Sequence, residues 1–382
     1  MKITHLCLAG TITDGWSYQE NMLSKYHKKL GYEVSIITSR WVYDDKNSLY
    51  KFPENDYYLE NGVHVIRLDI INKDDLTYKF KKYSGVEESL ERLKPDILFI
   101  HGCQFVDIPN VIRYLKKNKE TVVYVDNHAD FSNSATNFIS RRVLHGIIWK
   151  YYAQSILPYV TKFYGVLPSR VTFLKDVYHI PAEKIDLLVM GGDDDLVENA
   201  IKNREITRAK YNILKEDFLV VTGGKIDKWK KQTLLLLQAI NNIRKNKVKL
   251  IFFGSIDTEL KDSMEKLTDG KKIQYIGWVN VETSYDLFAA ADLAVFPGRH
   301  SVYWEQAAAQ GVPMIVRDWP GTHHIDFGNN VIYLYQDSEV EIQNAILSLI
   351  EDKNKYQKML CCAKDNMKVF SYMDIAKRSV QK

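Results

Sequence analysis

Two stretches of this sequence gather the small and charged residues that handle anions. The first is PGRHSVYWEQAAAQGVP, Pro297 to Pro313. An apolar strand, Leu293–Phe296, runs into it, and a helix is expected to begin near Ser301, with Ser301 as its N-cap. Backbone N–H groups at such a helix start can hold a phosphate, and Arg299 and His300 stand just before it. Glu305 falls in the first turn. A carboxylate facing a cleft there can accept two hydrogen bonds from a ribose diol; it can equally complement the positive end of the helix dipole. The second stretch is VVTGGKIDKWKKQTLL, Val220 to Leu235. Its strand ends at Gly223-Gly224, followed by Lys225 and, five residues on, Lys230. Two cations beside glycines suit a diphosphate leaving group, each charge-assisted contact contributing about 1.5–3 kcal/mol. The same run also reads as a solvated basic turn. In the first half, His101 in FIHGC and His128 in VYVDNHADF each follow an apolar strand, where a histidine serves either structure or a site.

The elements that must position these loops alternate along the chain. Strands are expected at Ile3–Ala9, Val34–Thr38, Val63–Leu68, Ile97–Ile100 and Val122–Val125. Helices are expected at Ser17–Leu30, where Tyr18, Met22, Tyr26 and Leu30 share one face, and at Gly85–Leu93. The strands are continuous apolar runs, which indicates burial on both faces and a parallel sheet. The rhythm restarts at Phe218–Thr222 and continues through Leu250–Phe253, Ile273–Ile276, Leu293–Phe296 and Met314–Val316. The expectation is an α/β chain of two doubly wound, Rossmann-like domains, residues 1–190 and 191–365. A final segment, 366–382, carries a helix near Ser371–Val380 that crosses back to the first domain. Ligands of open α/β sheets bind beyond the carboxyl ends of the strands, so the cleft between two such domains is the expected active site.

Composition narrows the partners. Hydrophobic residues at 46% and charged residues at 26% describe a globular chain, not a disordered one. Lys plus Arg less Asp plus Glu is 52 − 48 = +4, too small an excess to argue for nucleic acid. The four cysteines show no CxxC spacing, which disfavours zinc and fits a reducing, cytoplasmic setting. The N-terminus begins a strand without the pattern of a signal peptide, and no window approaches 18 consecutive apolar residues. Ile139–Val166 mixes Arg141, Arg142, Lys150 and Lys162 with Ile147, Trp149, Tyr151 and Tyr159. Such a helix reads as a peripheral membrane contact or as a partly buried helix with snorkelling cations. Asp193-Asp194-Asp195 imitates a metal-binding acidic motif but lies in the expected interdomain join, and no metal is expected.

The second half resembles the C-terminal domain of the retaining glycosyltransferases of family 4, which have the GT-B fold. Their G-R-L-x-x-x-K-G segment is similar to Gly224-Lys225-Ile226-Asp227-Lys228-Trp229-Lys230-Lys231, with Lys for Arg. Their E-A-x-A-x-G-x-P segment is similar to Glu305 through Pro313, with one extra residue before Gly311. Ile276-Gly277-Trp278-Val279, Ala290-Ala291-Asp292-Leu293 and Phe370-Ser371-Tyr372 follow the family's order. The first half resembles it more weakly, through a glycine loop at Gly15 and through His128. The resemblance implies a retaining glycosyltransferase, either hexosyl or N-acetylhexosaminyl. It would move sugar from a nucleoside diphosphate donor, UDP-linked by preference, to a glycan or lipid-linked hydroxyl, in cell-surface polysaccharide or glycolipid assembly. It implies no required cofactor. It assigns His128, Lys225 and Lys230 to the reacting centre. Gly15, Gly224, Arg299, His300, Ser301 and Glu305, with both lysines, would bind the donor. The family's first glutamate, eight positions before the second, is replaced here by Pro297. That departure motivates two alternatives: a non-catalytic GT-B subunit that binds a partner or glycan, and a sugar-nucleotide epimerase of the same fold.

Overall fold

The computed structural model describes residues 1–44, 48–71, 80–227, 231–244 and 247–381. The chain divides into two compact units. Met1–Val189 with Ile375–Lys382 form the first, and Met190–Asp374 the second.

The first unit contains β1 (Lys2–Cys7), β2 (Glu33–Ser39), β3 (Trp41–Tyr43), β4 (Leu49–Lys51), β5 (Asp56–Tyr58), β6 (His64–Leu68), β7 (Ile97–His101), β8 (Val122–Asn127), β9 (Lys162–Gly165) and β10 (Ile185–Leu187). Its main sheet has the order β10-β9-β8-β7-β1-β2-β6-β5, parallel throughout except for the β5–β6 edge. β3 and β4 form a separate antiparallel pair. Alternation along the strands sorts two faces. Leu6, Leu98, Ile100, Val123 and Val125 join Leu90, Val111, Tyr114, Ala153, Ile156 and Phe173 in one core, each fully buried side chain of this size contributing roughly 1.5–3 kcal/mol. The opposite face carries His5, Phe99, His101, Tyr124, Asp126 and Tyr164, and there the Tyr124 and Tyr164 hydroxyls donate to the carbonyls of Val380 and Arg378.

The second unit contains β11 (Phe218–Gly223), β12 (Val248–Phe253), β13 (Ile273–Tyr275), β14 (Leu293–Phe296), β15 (Met314–Arg317) and β16 (Val331–Leu334), in the order β13-β12-β11-β14-β15-β16, all parallel. The order reverses between β11 and β14, and those are the strands that feed the two anion-suited loops.

Two local expectations are corrected, and the acidic triplet finds hydrogen-bond partners. The helix near Ser301 spans Tyr303–Ala309, and its cap position is Val302 with no side-chain cap. Ser301 is therefore not an N-cap. Ile139–Val166 is not one helix. It is a ten-residue π-helix (Ser140–Trp149), an α-helix (Lys150–Ile156), a 3₁₀ turn and then β9. The acidic triplet is structural. Asp193 caps the helix Asp194–Lys202 by accepting from Asp195 N at 3.1 Å, and Asp194 accepts from Met373 N at 2.9 Å.

Candidate functional site

In the second unit the crevice between β11 and β14 is the topological switch point, where the loops leaving the two strands splay to opposite faces. Thr222, Gly223, Phe296, Pro297, Gly298 and Arg299 line a depression there. Gly224 has φ +116°, and the carbonyl of Gly224 occupies the space that a Cβ on Gly254 would need. Only glycines allow the two strand-end turns to touch in this way. Lys225 follows with its side chain 68% exposed, 3.9 Å from Asp227. The expected Lys230 lies outside the described residues.

The loop after β14 is built around Glu305. Glu305 was expected to face a cleft, but its side chain is fully buried. Its Oε1 accepts from His300 Nε2 at 2.8 Å and from His324 Nε2 at 2.7 Å. Burial works against its charge, but His300 and His324 outweigh that penalty and hold the carboxyl well below the usual carboxylate range. Glu305 therefore anchors His300, which keeps 14% of its side chain exposed. Arg299 lies 6.0 Å over the Trp319 ring, and Trp319 Nε1 donates to Gly298 O at 3.2 Å. Four buried polar atoms of this region, Ser301 Oγ, Trp304 Nε1, Glu305 Oε2 and His324 Nδ1, have no protein partner among the described residues. Orphaned polar atoms gathered in one place are what a site awaiting a polar ligand or water leaves behind. The ligand atoms of His300, Glu305 and His324 lie within 4.8 Å of one another. A metal-bound imidazole normally gives its second N–H to an acceptor. The lack of one at His324 Nδ1 favours hydrogen bonding to the carboxylate instead.

The first unit has its own switch point, between β1 and β7. The loop after β1 carries Gly15 at φ +76°, exposed. Buried Arg67 on β6 fixes this loop, donating to Asp14 Oδ1 at 2.7 Å, Ser39 O at 2.8 Å and Ile12 O at 3.2 Å. Asn21 holds the loop from its other side through Thr13 O and Trp16 O, each at 2.8 Å. Gln19 is 3% exposed and neither of its amide atoms has a partner among the described residues. His128 follows β8 with its side chain 33% exposed and its Nε2 3.3 Å from Asp126 Oδ2. His101 Nδ1 donates to the same oxygen at 2.7 Å. Burial opposes the charge on His128, and Asp126 outweighs it, so the imidazole titrates above its ordinary value.

Residues 217–352 match the model of the family described as Glycosyl transferases group 1. The matched segment lies within the second unit. Solved structures extend the likeness over the whole chain. Sucrose-phosphate synthase from Thermosynechococcus elongatus matches at 14% identity over 99% of this chain and 96% of its own, with a TM-score of 0.67. HepE from Anabaena in complex with UDP-glucose matches at 14% identity over 99% and 98%, with a TM-score of 0.66. WaaG, a glycosyltransferase involved in lipopolysaccharide biosynthesis, matches at 14% identity over 98% of each chain, with a TM-score of 0.64. At these identities the likeness is one of fold, two Rossmann-like α/β domains of the GT-B kind. No curated protein matches the chain by sequence. Among the described residues, no helix is long and apolar enough to cross a membrane.

Sequence reasoning missed His324, Gln19 and Asp126. The paired His323-His324 shortly after a strand was a signal for the first, and the Asp126-Asn127-His128 run was a signal for the last. Gln19 gave none beyond its place in the glycine-loop segment.

Proposed function

We propose that this chain is a retaining glycosyltransferase that moves a hexosyl or N-acetylhexosaminyl group from a nucleoside diphosphate donor, UDP-linked, to an acceptor hydroxyl. The observation that carries the reading is the switch point of the second unit, where the turn that runs on to Gly224 and Lys225 and the loop that carries Arg299 and His300 leave adjacent strands, with four orphaned polar atoms in and around the latter loop. The group 1 match supports the donor class, and the UDP-glucose held by HepE supports the base. In the second unit Lys225, with Lys230, takes the charge that develops on the departing diphosphate. Gly224 lets the phosphates approach backbone, Ser301 supplies a hydroxyl, and Arg299 and His300 reach the sugar or phosphate. Glu305 acts through His300. In the first unit His128 is assigned to a hydroxyl of the transferred sugar, and Gly15 to close approach of the loop.

Retention follows from front-side attack. The acceptor oxygen bonds to the anomeric carbon on the face from which the diphosphate oxygen leaves. The acceptor proton passes to that departing oxygen. No metal enters this scheme, because the lysines neutralise the leaving group. Incubation with a panel of nucleotide sugars tests it. The expected result is stabilisation of the protein against heat by UDP-sugars and slow release of UDP. Stabilisation without release under any acceptor would leave a binding subunit, and sugar interconversion without release would leave an epimerase.

The acceptor setting we propose is a lipid-linked glycan at the cytoplasmic membrane face, in surface polysaccharide or glycolipid assembly. WaaG's role in lipopolysaccharide biosynthesis accords with it. Phe138, Ile139, Val143, Ile147 and Tyr151 form an exposed apolar stripe on the π-helix and its flanks, with Arg141 and Arg142 exposed beside it. Such a surface suits an anionic bilayer. Wild-type protein should co-sediment with phosphatidylglycerol vesicles, and the double variant Ile139→Asp/Ile147→Asp should lose at least tenfold in partition. Equal sedimentation of the two would remove the stripe from the proposal.

A further inference from the structure

The polar face of the first unit's sheet carries an unbroken chain of imidazoles. His27, on the helix Gln19–Lys29, places Nδ1 3.0 Å from His5 Nε2 on β1. His5 Nδ1 lies 2.9 Å from His101 Nε2 on β7, and His101 Nδ1 lies 2.7 Å from Asp126 Oδ2 on β8. The ring pairs stack, with centroids 5.1 Å and 5.2 Å apart. At the far end His27 Nε2 is 3.0 Å from both the Ala376 carbonyl and the Ser379 hydroxyl, and that hydroxyl is 2.8 Å from the same carbonyl. All of these side chains are buried. The sequence hinted at only part of this, through a histidine inside the apolar run of β1 and another at the end of β7.

Counting protons restricts the chain to two states. Each contact between neighbours needs one proton, and an ionised Asp126 can only accept. If the Ser379 hydroxyl donates to His27 Nε2, three neutral imidazoles satisfy every link from Ser379 to Asp126, all three carry their proton on Nδ1, and only the approach of His27 Nε2 to the Ala376 carbonyl goes without a proton. If Ser379 instead turns to the Ala376 carbonyl, His27 Nε2 must donate. Four contacts then need four imidazole protons, and three neutral rings hold only three. One ring becomes an imidazolium, and its favoured place is His101, against the Asp126 carboxylate. Moving between the states flips the tautomers of His5 and His27 together.

Asp126 Oδ2 faces His128 as well as His101. We propose that His27, His5, His101 and the Ser379 hydroxyl are positioning residues that share a single proton with His128 across Asp126. With the relay neutral, the charge of Asp126 is free to hold His128 protonated and oriented. With the relay charged, the His101–Asp126 pair is neutralised and His128 releases its proton. Burial keeps His27 low, at about 4, and His5 lower than usual, and with Ser379 donating the neutral relay is the resting state in this proposal. Other groups near His128 are fixed in sign: Glu20 favours its charged form and Arg170 opposes it. The thiols of Cys7 and Cys103, which also feel Asp126, are raised first by burial and stay protonated. Tyr32 meets His27 only edge-on.

The proposal rests on the assignment of His128 to the sugar, and the test separates the two. Histidine-selective 15N spectra of the full chain between pH 5 and 9 should show His27, His5 and His101 all as Nδ1–H tautomers at neutral pH. Ser379→Ala removes the terminal donor. It should turn His27 and His5 to the Nε2–H form and lower the His128 midpoint by about one unit, a tenfold loss of proton affinity. The acidic limb of the kcat/KM profile should move with that midpoint, and Ser379→Thr should restore it. Mixed tautomers in the wild type overturn the relay even if the variant does not fold, as does a folded Ser379→Ala protein with an unmoved His128. Full activity of His128→Ala would instead overturn the role of His128 in the proposed reaction, whatever the spectra show.

Discussion

Replacing Glu305 by alanine should cost the second unit about 3 kcal/mol or more. The carboxylate is fully buried and receives two imidazole N–H groups on one oxygen. Hydrogen bonds to a charged group contribute about 1.5–3 kcal/mol each, and truncation leaves both donors facing a cavity. For a unit of this size that corresponds to a fall in Tm of about 6 °C or more. Glu305→Gln, which keeps the volume and an acceptor oxygen, should lose less. The pH dependence has a definite sign. The folded carboxyl is held below its unfolded value, so its stabilisation is present above about pH 4.3 and is lost as pH falls further. The gap between wild type and Glu305→Ala should therefore narrow below about pH 4. Because His300 depends on this carboxylate for its orientation, the alanine variant should also lose the thermal stabilisation given by a UDP-sugar. Unchanged Tm and unchanged donor stabilisation would mean that the two histidines are held by the backbone of their loops instead.

Five strands of each main sheet were legible because parallel strands covered on both faces must be apolar along their whole length. Their observed ends fall within two residues of the expected ones. The short strands β5, β9, β10 and β16 and the β3–β4 pair were not legible. Asp56–Tyr58 and Ile185–Leu187 are three residues each with polar members, and they are strands only because a neighbour offers its edge. The helix start after β14 was misplaced for a different reason. Local chemistry favours Ser301 as a cap, but the loop is set by Glu305 reaching His324, nineteen residues away, and tertiary contact overrides the cap. His300 and Glu305 were named from the loop pattern and the family resemblance; His324 joins the same cluster through the adjacency of β14 and β15, at which only the His323-His324 pair hinted. The abundance of tyrosine, 24 residues, had suggested carbohydrate or lipid surfaces. Part of it is structural. Tyr124 and Tyr164 lie flat beneath the C-terminal segment and use their hydroxyls to satisfy its last carbonyls.

Lys225→Ala should cut turnover at least tenfold while leaving the fold intact. The side chain is 68% exposed, with Asp227 at 3.9 Å, so its removal opens no cavity. A screened pair of that length and exposure contributes little to stability. In the proposed reaction its value lies in the transition state, where charge would accumulate on the leaving diphosphate beside backbone near Gly224, which has φ +116°. One charge-assisted contact realised there, at about 1.5–3 kcal/mol, corresponds to roughly a ten- to hundredfold change in rate. If the contact forms mainly in the transition state, kcat falls and donor KM changes little; if it is equally strong in the ground state, KM rises instead. Lys225→Arg, which restores the residue type of the resembled segment, should recover most of the rate. A Lys225→Ala enzyme with near-normal kcat and KM would assign the diphosphate to other cations and reduce Lys225 to the solvated turn that its exposure alone would suggest.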